Sequence, residues 1–375
     1  MYKNITEMES IRGNQSYEAF PMNGGEGQYS YAQNSNYQRK GADITKHIAK
    51  EAILENLDLE TALQHSSNVF RIADLGCSVG PNTFFTVQNI IDSVNLKFQS
   101  QGHGLDSSLE FQVFFNDHAG NDFNTLLKSL PEDKQYYAAA VAGSFHGRLF
   151  PESSIHVFKS SYALQWLSRV PKDVVDKNSP ANNKGRIYFT NEDKKVAEAY
   201  SAQFERDMES FLNSRALELV PGGIMTLIIL CVPPNSGNGF EDIANIMGNV
   251  LVEMADKGLI SNELVDSFNV PMYVPTSKEV KVLIEKNGNF KVERSELLFR
   301  LIDKKQEPDS QKICMQMRAA WEGLFKEHFE QEIVDDIFLQ YENKLAESNL
   351  LSVSDPTYKR LGGLFVIKVN VKYFE

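Results

Sequence analysis

Residues 70–84 read FRIADLGCSVGPNTF, and they are the most informative stretch of the chain. A short apolar run leads into a turn that contains Gly76 and Gly80, and a regular apolar pattern follows from Phe84 to Ile91. This order predicts a buried β-strand, a tight glycine turn and the start of a helix. Glycine in such a turn lets a ligand approach the backbone, because it has no Cβ.

Asp74 closes the predicted strand and places a negative charge next to the turn. The dinucleotide fingerprint G-x-G-x-x-G is not matched, since the turn has no middle glycine and a carboxylate precedes it. Asp74 would repel a pyrophosphate and attract an ammonium group. The pattern D-x-G-x-x-x-G therefore favours S-adenosylmethionine, an adenosyl ligand that bears an amino acid. An ordinary strand–turn–helix connection is the alternative for so short a motif.

Length and composition predict a globular protein with a main domain and a substantial cap. The chain has 375 residues, of which 42% are hydrophobic and 23% are charged; one compact core seldom needs so many residues. No apolar run reaches the length of a membrane span. The N-terminus, MYKNITEMES, lacks the basic and apolar regions of a secretory signal.

Charge and cysteine content limit the partners and the compartment. The net charge of -12 argues against a nucleic-acid substrate, because binding phosphates needs a basic face. A small-molecule substrate is the remaining expectation. Cys77, Cys231 and Cys314 are too few for a disulfide framework, and Cys77 lies inside the glycine turn. We therefore expect a reducing compartment, the cytosol.

Strands and helices alternate along the chain. Apolar or alternating runs predict strands at 70–75, 109–115, 137–142, 155–159, 224–231, 290–301 and 362–374. Helical periodicity begins near Gly41 and recurs at 196–219, where Pro221-Gly222-Gly223 is expected to end the helix, and at 240–257, 277–286 and 313–350. This alternation predicts an α/β fold with a doubly wound, mostly parallel sheet.

The same pattern suggests three parts. We expect an N-terminal lid at 1–40, an α/β core at 41–232, 288–312 and 351–375, and a helical substrate cap at 233–287 and 313–350. Residues 1–21 look flexible and polar, and the following Gly-, Asn-, Ser- and Tyr-rich stretch has no helical period. A disordered leader is therefore the alternative to a lid, but Tyr29, Tyr31 and Tyr37 would suit a lid over a polar small molecule.

Polar residues follow the predicted strands where a Rossmann-like fold binds its ligand. Asp117 comes directly after the second strand and is our candidate for the ribose hydroxyls; the alternative is a helix N-cap, a role that Asn121 or Asp122 could fill instead. After the third strand, Phe145 could stack on adenine while Ser144 bonds its edge. A core position is the commoner fate of such a phenylalanine.

Trp166 lies just past the fourth strand and is one of two tryptophans in the chain. We expect Tyr162, Gln165 and Trp166 to surround the substrate, with the indole N–H available as a donor. Burial of Trp166 in the core is an equally good alternative. We take the second tryptophan, Trp321, as a core residue.

The chain resembles the plant SABATH methyltransferases over nearly its whole length. Those enzymes methylate small carboxylic acids or purine nitrogens. The resemblance rests on nine motifs: MNGGEGQYSYAQNS at 22–35, IADLGCS at 72–78, GPN at 80–82, FND at 115–117, NDFN at 121–124, GSFHGRLFP at 143–151, SSYALQWLS at 160–168, NKGRIY at 183–188 and DSFNVPMY at 266–273.

The resemblance implies a Rossmann-like S-adenosylmethionine-dependent methyltransferase sheet, a helical cap over the active site, and a homodimer. It assigns cofactor contacts to Tyr31, Ser35, Asp74, Cys77, Asn82, Asp117, His118, Ser144, Phe145 and Ser161. It makes Gln38 and Trp166 hydrogen-bond donors to the acceptor carboxylate, in a pocket lined by Tyr31, Tyr162 and Gln165. In some members Mg²⁺ is assigned near Asn183, Asp266, Phe268 and Asn269, a set with few carboxylates for tight binding.

Some positions depart from the family pattern. Gln165 stands where salicylate-type members tend to carry Met, and where several jasmonate, loganate and purine enzymes carry His. Asn36 replaces a bulkier residue of salicylate-type members, and Asn23 stands where several members have Lys. These differences argue against salicylate and loganate without naming another acid.

Three functional hypotheses result. The first is esterification of a small plant acid of the salicylate or benzoate, jasmonate, farnesoate or iridoid class. A carboxylic acid is already ionised at neutral pH, so in-line methyl transfer needs alignment and a dry site, and no catalytic base. The second is N-methylation of a purine-like alkaloid, which would favour His at position 165. The third is a cofactor-binding protein without turnover, or a nicotinamide oxidoreductase.

Overall fold

The computed structural model describes residue 18 and residues 20–64, 68–102, 108–190, 193–234, 239–299, 309–348 and 360–369. The strands in these ranges are β1 Val69–Leu75, β2 Glu110–Asp117, β3 Tyr137–Ala142, β4 Ile155–Ser161, β5 Leu219–Ile229, β6 Phe290–Phe299 and β7 Arg360–Val369. The helices are α1 Tyr31–Asn34, α2 Asn36–Asn56, α3 Leu59–Leu63, α4 Pro81–Ser100, α5 Phe123–Lys128, α6 Lys172–Val175, α7 Lys194–Glu218, α8 Gly239–Asp256, α9 Asn262–Ser267, α10 Ser277–Asn287, α11 Ser310–His328 and α12 Gln331–Glu347.

The strands form one sheet in the order β3-β2-β1-β4-β5-β7-β6. Strands β1 to β5 are mutually parallel, and β7 runs antiparallel to both of its neighbours. The mostly parallel sheet predicted from the sequence is confirmed. Parallel neighbours need crossover connections, and the carboxyl ends of β1 and β2 meet at one edge, where the predicted cofactor residues lie.

Helices cover both faces of the sheet. One cluster of buried side chains packs α4 on β1 and β2, and a smaller one packs α2 on β5 and β7. The largest cluster runs from the sheet through α7 to α8, α11 and α12, and it includes Trp321, as predicted. Burying a large side chain such as Phe158 or Phe211 contributes about 1.5–3 kcal/mol.

The largest cluster joins the predicted cap to the predicted core without a break. Helix α10, assigned to the cap from the sequence, packs on β6 and α7, and its Asn287 Nδ2 donates to Asn213 Oδ1 at 2.8 Å. The division of the chain into core and cap therefore stays a prediction.

Several predicted boundaries were wrong. The Tyr-rich stretch before Gly41 is helical in α1 and α2, because it packs on the glycine turn and so needs no apolar period of its own. Pro221-Gly222-Gly223 lies inside β5, not at the end of α7; Gly222 adopts φ +81° and faces the backbone of Asp58 and Ala62 too closely for a Cβ.

Two C-terminal predictions also change. The region 313–350 contains two helices, α11 and α12, with the break at Phe329 and Glu330, both in extended conformation. Strand β7 begins at Arg360, and the predicted strand residues 370–374 lie outside the described residues. Among the described helices, none combines the length and the apolar character that crossing a membrane would require.

Candidate active site

The glycine turn after β1 requires glycine at position 76. Gly76 adopts φ +78°, and a Cβ there would overlap Ala163. The backbone N–H groups of Gly76 and Cys77 both donate to the carbonyl of Asn116, at 2.9 and 3.0 Å, and so tie the turn to the end of β2. Burial raises the pKa of the Cys77 thiol well above its usual value. The thiol is therefore protonated at neutral pH and is a poor nucleophile.

Asp74 is fully buried at the end of β1. Its Oδ2 accepts a hydrogen bond from Lys159 Nζ at 2.8 Å and another from the hydroxyl of Thr83. Its Oδ1 has no partner among the described residues. One oxygen is thus held by an ion pair, and the other is available to an ammonium group.

Lys159 is a site residue that was not predicted from the sequence. This lysine is buried in a strand whose other residues are mostly apolar or small, IHVFKSS. A lysine in such a strand needs a carboxylate partner, since an unpaired buried charge is costly. That signal could have predicted the ion pair, although not which aspartate forms it.

Asp117 ends β2, and its carboxylate accepts two backbone hydrogen bonds, from Ser78 to Oδ2 and from His118 to Oδ1, both at 2.8 Å. The N-cap of α5 is Asp122, which accepts from Thr125 N at 3.0 Å, so the alternative role for Asp117 is excluded. Burial raises the pKa of the Asp117 carboxyl, although the two N–H donors act to lower it. Burial also lowers the pKa of the His118 ring.

The loop after β3 brings Phe145 to the glycine turn. The Phe145 ring lies against Gly76 and 6.5 Å from the His118 ring centre, and it is buried in the largest cluster. Its carbonyl accepts from Arg215 Nη1 at 2.7 Å, and Arg215 is paired with Glu218 in full burial. The core position of Phe145 is therefore observed, and stacking on adenine stays a prediction, as does the role of the neighbouring Ser144.

The described part of the predicted lid, residues 20–40, packs on the turn. Asn82 Nδ2 donates to the carbonyl of Ser35 at 3.1 Å and to its hydroxyl at 2.9 Å. Gly80 faces α1 so closely that a Cβ would lie 3.4 Å from the Cα of Ala32. Burial, with the charges of Asp117 and Asp74, raises the pKa of the Tyr31 phenol. The lid prediction for residues 1–17 and 19 falls outside the described residues.

Enclosed polar atoms test whether the site suits S-adenosylmethionine. Several such atoms at or near this edge of the sheet have no hydrogen-bond partner within the described ranges, among them Ser30 Oγ, Asp74 Oδ1, Ser78 Oγ, Asn116 Oδ1, Asn121 Oδ1 and Ser161 Oγ. Buried polar atoms are nearly always bonded. Together with the carboxylates, they match a ligand that carries an ammonium group and hydroxyls, so the residues fit this cofactor.

On the acceptor side, Trp166 is half-buried. Its ring stacks on Phe20 with centres 6.3 Å apart. Sequence reasoning missed Phe20, because it lies in a stretch that looked flexible. Gln165 is buried and donates from Nε2 to the carbonyl of Tyr162 at 2.6 Å. The side-chain oxygens of Gln38 and Gln165 are enclosed and have no partner in the described part of the chain.

The predicted acceptor residues do not all meet. No hydrogen bond among the described residues joins Gln38 to Trp166. Tyr162 adopts φ +56°, and its ring lies in the layer between α2 and the sheet, close to Gly41. The roles of Gln38, Tyr162, Gln165 and Trp166 in acceptor binding stay predictions.

The predicted magnesium residues form a hydrogen-bonded cluster. Asn269 Oδ1 accepts from Asn183 Nδ2 at 2.7 Å and from the Tyr200 hydroxyl at 3.3 Å, and Asp266 Oδ1 accepts from Gly185 N at 2.9 Å. Phe268 packs among aromatic rings. No group of three or more His, Cys, Asp or Glu side chains in the described residues could hold a metal. Asn269 Oδ1 and Asp266 Oδ1 already have donors, and Asp266 is the only carboxylate of the set, so the set fits Mg²⁺ poorly.

The fold and this site together define an S-adenosylmethionine-dependent methyltransferase. A family model described as SAM dependent carboxyl methyltransferase matches residues 17–366. The chain belongs to this family, and the resemblance to the SABATH enzymes is confirmed.

Individual relatives agree with the family. The chain is 44% identical over 355 residues to loganic acid O-methyltransferase of Catharanthus roseus, over 93% of this chain and 94% of that protein. It is 42% identical over 282 residues to farnesoic acid carboxyl-O-methyltransferase of Arabidopsis thaliana, over 74% and 79% of the two chains. A solved structure of loganic acid methyltransferase with SAH superposes with a TM-score of 0.88 at 43% identity, over 94% of this chain and 99% of that chain. These findings favour carboxyl methylation over N-methylation and over the non-methyltransferase hypotheses.

Proposed function

We propose that the protein esterifies a small plant acid whose carboxylate sits on a largely hydrocarbon, terpenoid skeleton, as in farnesoic acid. The observation that supports a carboxylate acceptor most directly is the absence of charge on the proposed acceptor residues. Phe20, Gln38, Gln165 and Trp166 are aromatic or neutral and polar, and no lysine or arginine is among them. Such a site can orient a carboxylate without neutralising it.

The proposed reaction needs no catalytic base. A carboxylic acid is ionised at neutral pH, with a pKa of about 4, so no side chain has to remove a proton. S-Adenosylmethionine supplies a methyl group on a positively charged sulfur. We assign Asp74 to its ammonium group and Asp117 to its ribose, and we place Tyr31, Ser35, Cys77, Asn82, His118, Ser144, Phe145 and Ser161 around the rest.

Gln38 and Trp166 are proposed to donate hydrogen bonds that orient the acceptor carboxylate. Tyr31, Tyr162 and Gln165 are proposed to line the pocket. Holding two reactants in line contributes ~7–11 kcal/mol in favourable cases, so positioning alone is a sufficient role for these residues.

The proposed skeleton rests on the cap helices. Half-buried apolar side chains on α8 and α11, such as Phe240, Ile243 and Met317, pack against the largest cluster, and so does Trp166. Apolar walls favour a hydrocarbon body, since each buried CH₂ contributes about 0.8 kcal/mol. Residues 235–238, which belong to the predicted cap, are outside the described ranges.

Steady-state kinetics with a panel of acids tests the proposal. The panel contains farnesoic, loganic, jasmonic, salicylic and benzoic acids and xanthine, with the alcohol farnesol as the control that lacks a carboxylate. We expect the highest kcat/KM for a terpenoid acid and no product from farnesol. Activity confined to benzoic and salicylic acids would overturn the skeleton, and activity confined to xanthine would overturn carboxyl methylation.

The resemblance also predicts a homodimer, and the cysteine content predicts a reducing compartment; we retain both as proposals. Strand β3 at the edge of the sheet has no charged residue, and its Tyr137 is 67% exposed; an open edge of this kind is a pairing surface. Cys77, Cys231 and Cys314 are all buried thiols, which suits the cytosol.

A further inference from the structure

A polar cluster with a buried ion pair at Arg318 and Glu322 joins the N-terminal lid to helix α11. It consists of Asn23, Tyr29, Arg318, Glu322 and Asp335, and we name it the Arg318 cluster. The Arg318 guanidinium lies 3.7 Å from the centre of the Tyr29 ring. It donates to Glu322 Oε1 at 2.8 Å and to Asp335 on α12. Arg318 is 8% exposed and Glu322 is 5% exposed.

Asn23 connects this cluster to the cofactor side. Its side chain donates to Glu322 Oε2 and to the carbonyl of Tyr29, and its backbone N–H donates to the carbonyl of Ala319 at 2.9 Å. The carbonyl of Asn23 accepts from the N–H of Tyr31 at 2.9 Å. Tyr31 is the first residue of α1, so a continuous set of hydrogen bonds leads from the cap helix to the lid helix over the glycine turn.

The lid has a second attachment, to the core. Gly25 N donates to Asp122 Oδ2 at 3.0 Å, and Gly24 lies so close to Asp122 that a Cβ would come within 2.7 Å of its side chain. Residues 20–30 contain no helix or strand. The position of this segment therefore depends on specific polar contacts, and the Arg318 cluster supplies those on the cap side.

The chemistry of the cluster suits a positioning role. Arginine presents a planar fork that can bond carboxylates and stack on a ring together. A buried ion pair adds little net stability but specifies one arrangement, and the arrangement here sets the lid against α11. Loss of one charged hydrogen bond in such a place changes an equilibrium by roughly 10- to 100-fold.

We infer that Arg318 and Glu322 are positioning residues that hold the lid against α11 and thereby set Tyr31 and Ser35 over the cofactor site. The cap helix that carries half-buried apolar residues such as Met317 is thus coupled to cofactor retention. This inference rests on the proposed cofactor roles of Tyr31 and Ser35. It does not depend on which acid is methylated.

Two substitutions in the full-length protein, Arg318→Met and Glu322→Gln, test the inference. We expect each to raise the KM for S-adenosylmethionine and the Kd for S-adenosylhomocysteine by ~10-fold or more, with kcat at saturation changed by less than about 3-fold. Arg318→Lys keeps the charge without the planar fork, so its effect should be intermediate. The matched control is Lys344→Met, which removes a cap cation paired with Glu253 at 2.6 Å and leaves the lid untouched.

Hydrogen exchange separates positioning from simple destabilisation. In the Arg318→Met and Glu322→Gln proteins, the amides of Asn23, Gly25 and Tyr31 should exchange faster while those of β1 and β4 stay protected. A uniform loss of protection, or unchanged cofactor affinity in a well-folded variant, would overturn the inference. A wrong acceptor class would leave these results unaffected, because neither cofactor affinity nor amide exchange involves the acceptor.

Discussion

At the scale of single residues, Trp166 combines two properties that can be separated. Its ring stacks on Phe20, and its indole N–H is our proposed donor to the acceptor carboxylate. Phenylalanine at this position keeps an aromatic ring and removes the donor. The proposed donor role therefore predicts that this substitution slows turnover of the acid and leaves cofactor binding nearly unchanged.

We predict that Trp166→Phe lowers kcat/KM for the acid by ~10- to 100-fold, the usual effect of losing a hydrogen bond to a charged group. The Kd for S-adenosylhomocysteine, measured by calorimetry, should change by less than about 2-fold. Trp321→Phe is the control, since Trp321 is a core residue that is 1% exposed. An equal loss of acid turnover and cofactor affinity in Trp166→Phe would contradict the assignment.

His156 gives a pH dependence of stability. It is buried in β4, its Nδ1 accepts from Arg71 N at 2.9 Å, and burial lowers its pKa from 6.5 to about 4. Between these pH values the unfolded chain binds a proton that the folded protein does not, so the free energy of unfolding falls as the pH falls. For this group the loss is roughly 3 kcal/mol.

Urea unfolding at pH 7 and pH 4.5 measures this effect. We predict that His156→Asn is less stable than the wild type at pH 7 and that its stability falls less on acidification. The exposed His47→Asn should behave like the wild type. If His156→Asn lost as much stability between the two pH values as the wild type does, the buried neutral histidine would not be the cause.

The residues at strand ends were the most predictable part of the site. Asp74 and Asp117 end β1 and β2 as expected, because a parallel sheet places the carboxyl ends of its strands together. Lys159 was not predicted as the partner of Asp74, since that contact depends on the register of β4 against β1. Register across a sheet is not readable from a single sequence.

Within the helices, α2 shows how close packing can require glycine at one position. Gly41 lies in α2, where two ring carbons of Tyr162 would be 2.8 Å from an added Cβ. Gly248 lies in α8, where the nearest atoms would be at 3.8 Å. Alanine normally stabilises a helix by about 1 kcal/mol relative to glycine, so the two positions form a matched pair.

We predict that Gly41→Ala destabilises the protein by about 1–3 kcal/mol through overpacking, whereas Gly248→Ala leaves it as stable or raises its stability. Denaturant unfolding gives both values. Adding Tyr162→Phe to Gly41→Ala removes the hydroxyl that faces the new methyl group and should recover part of the loss. A Gly41→Ala protein as stable as the wild type would mean that the Tyr162 ring does not press on α2.

Elements with strong internal patterns were predicted, and those that depend on distant contacts were not. The strands and long helices of the core follow from their apolar periodicity. The lid helices α1 and α2 begin in a polar stretch whose contacts come from Asn82 and from α11, far away in sequence. The break between α11 and α12 was also missed, because no glycine or proline marks it.

At the scale of the whole molecule, the lid bridges parts of the chain that are distant in sequence. Asn23 bonds to α11, Gly25 bonds to Asp122, and Ser35 bonds to Asn82. These contacts hold residues 20–35 against the edge of the sheet where the predicted cofactor residues lie. An enclosed site excludes water that would compete with the acceptor for the methyl group.

If the site transfers a methyl group to a carboxylate oxygen, the product is a methyl ester. The enzyme is incubated with methyl-labelled S-adenosylmethionine and its best acid, and the isolated product is treated with base. We expect a labelled ester that releases labelled methanol and returns the unlabelled acid. A labelled product that is stable to base, with the methyl group on nitrogen or carbon, would contradict carboxyl methylation.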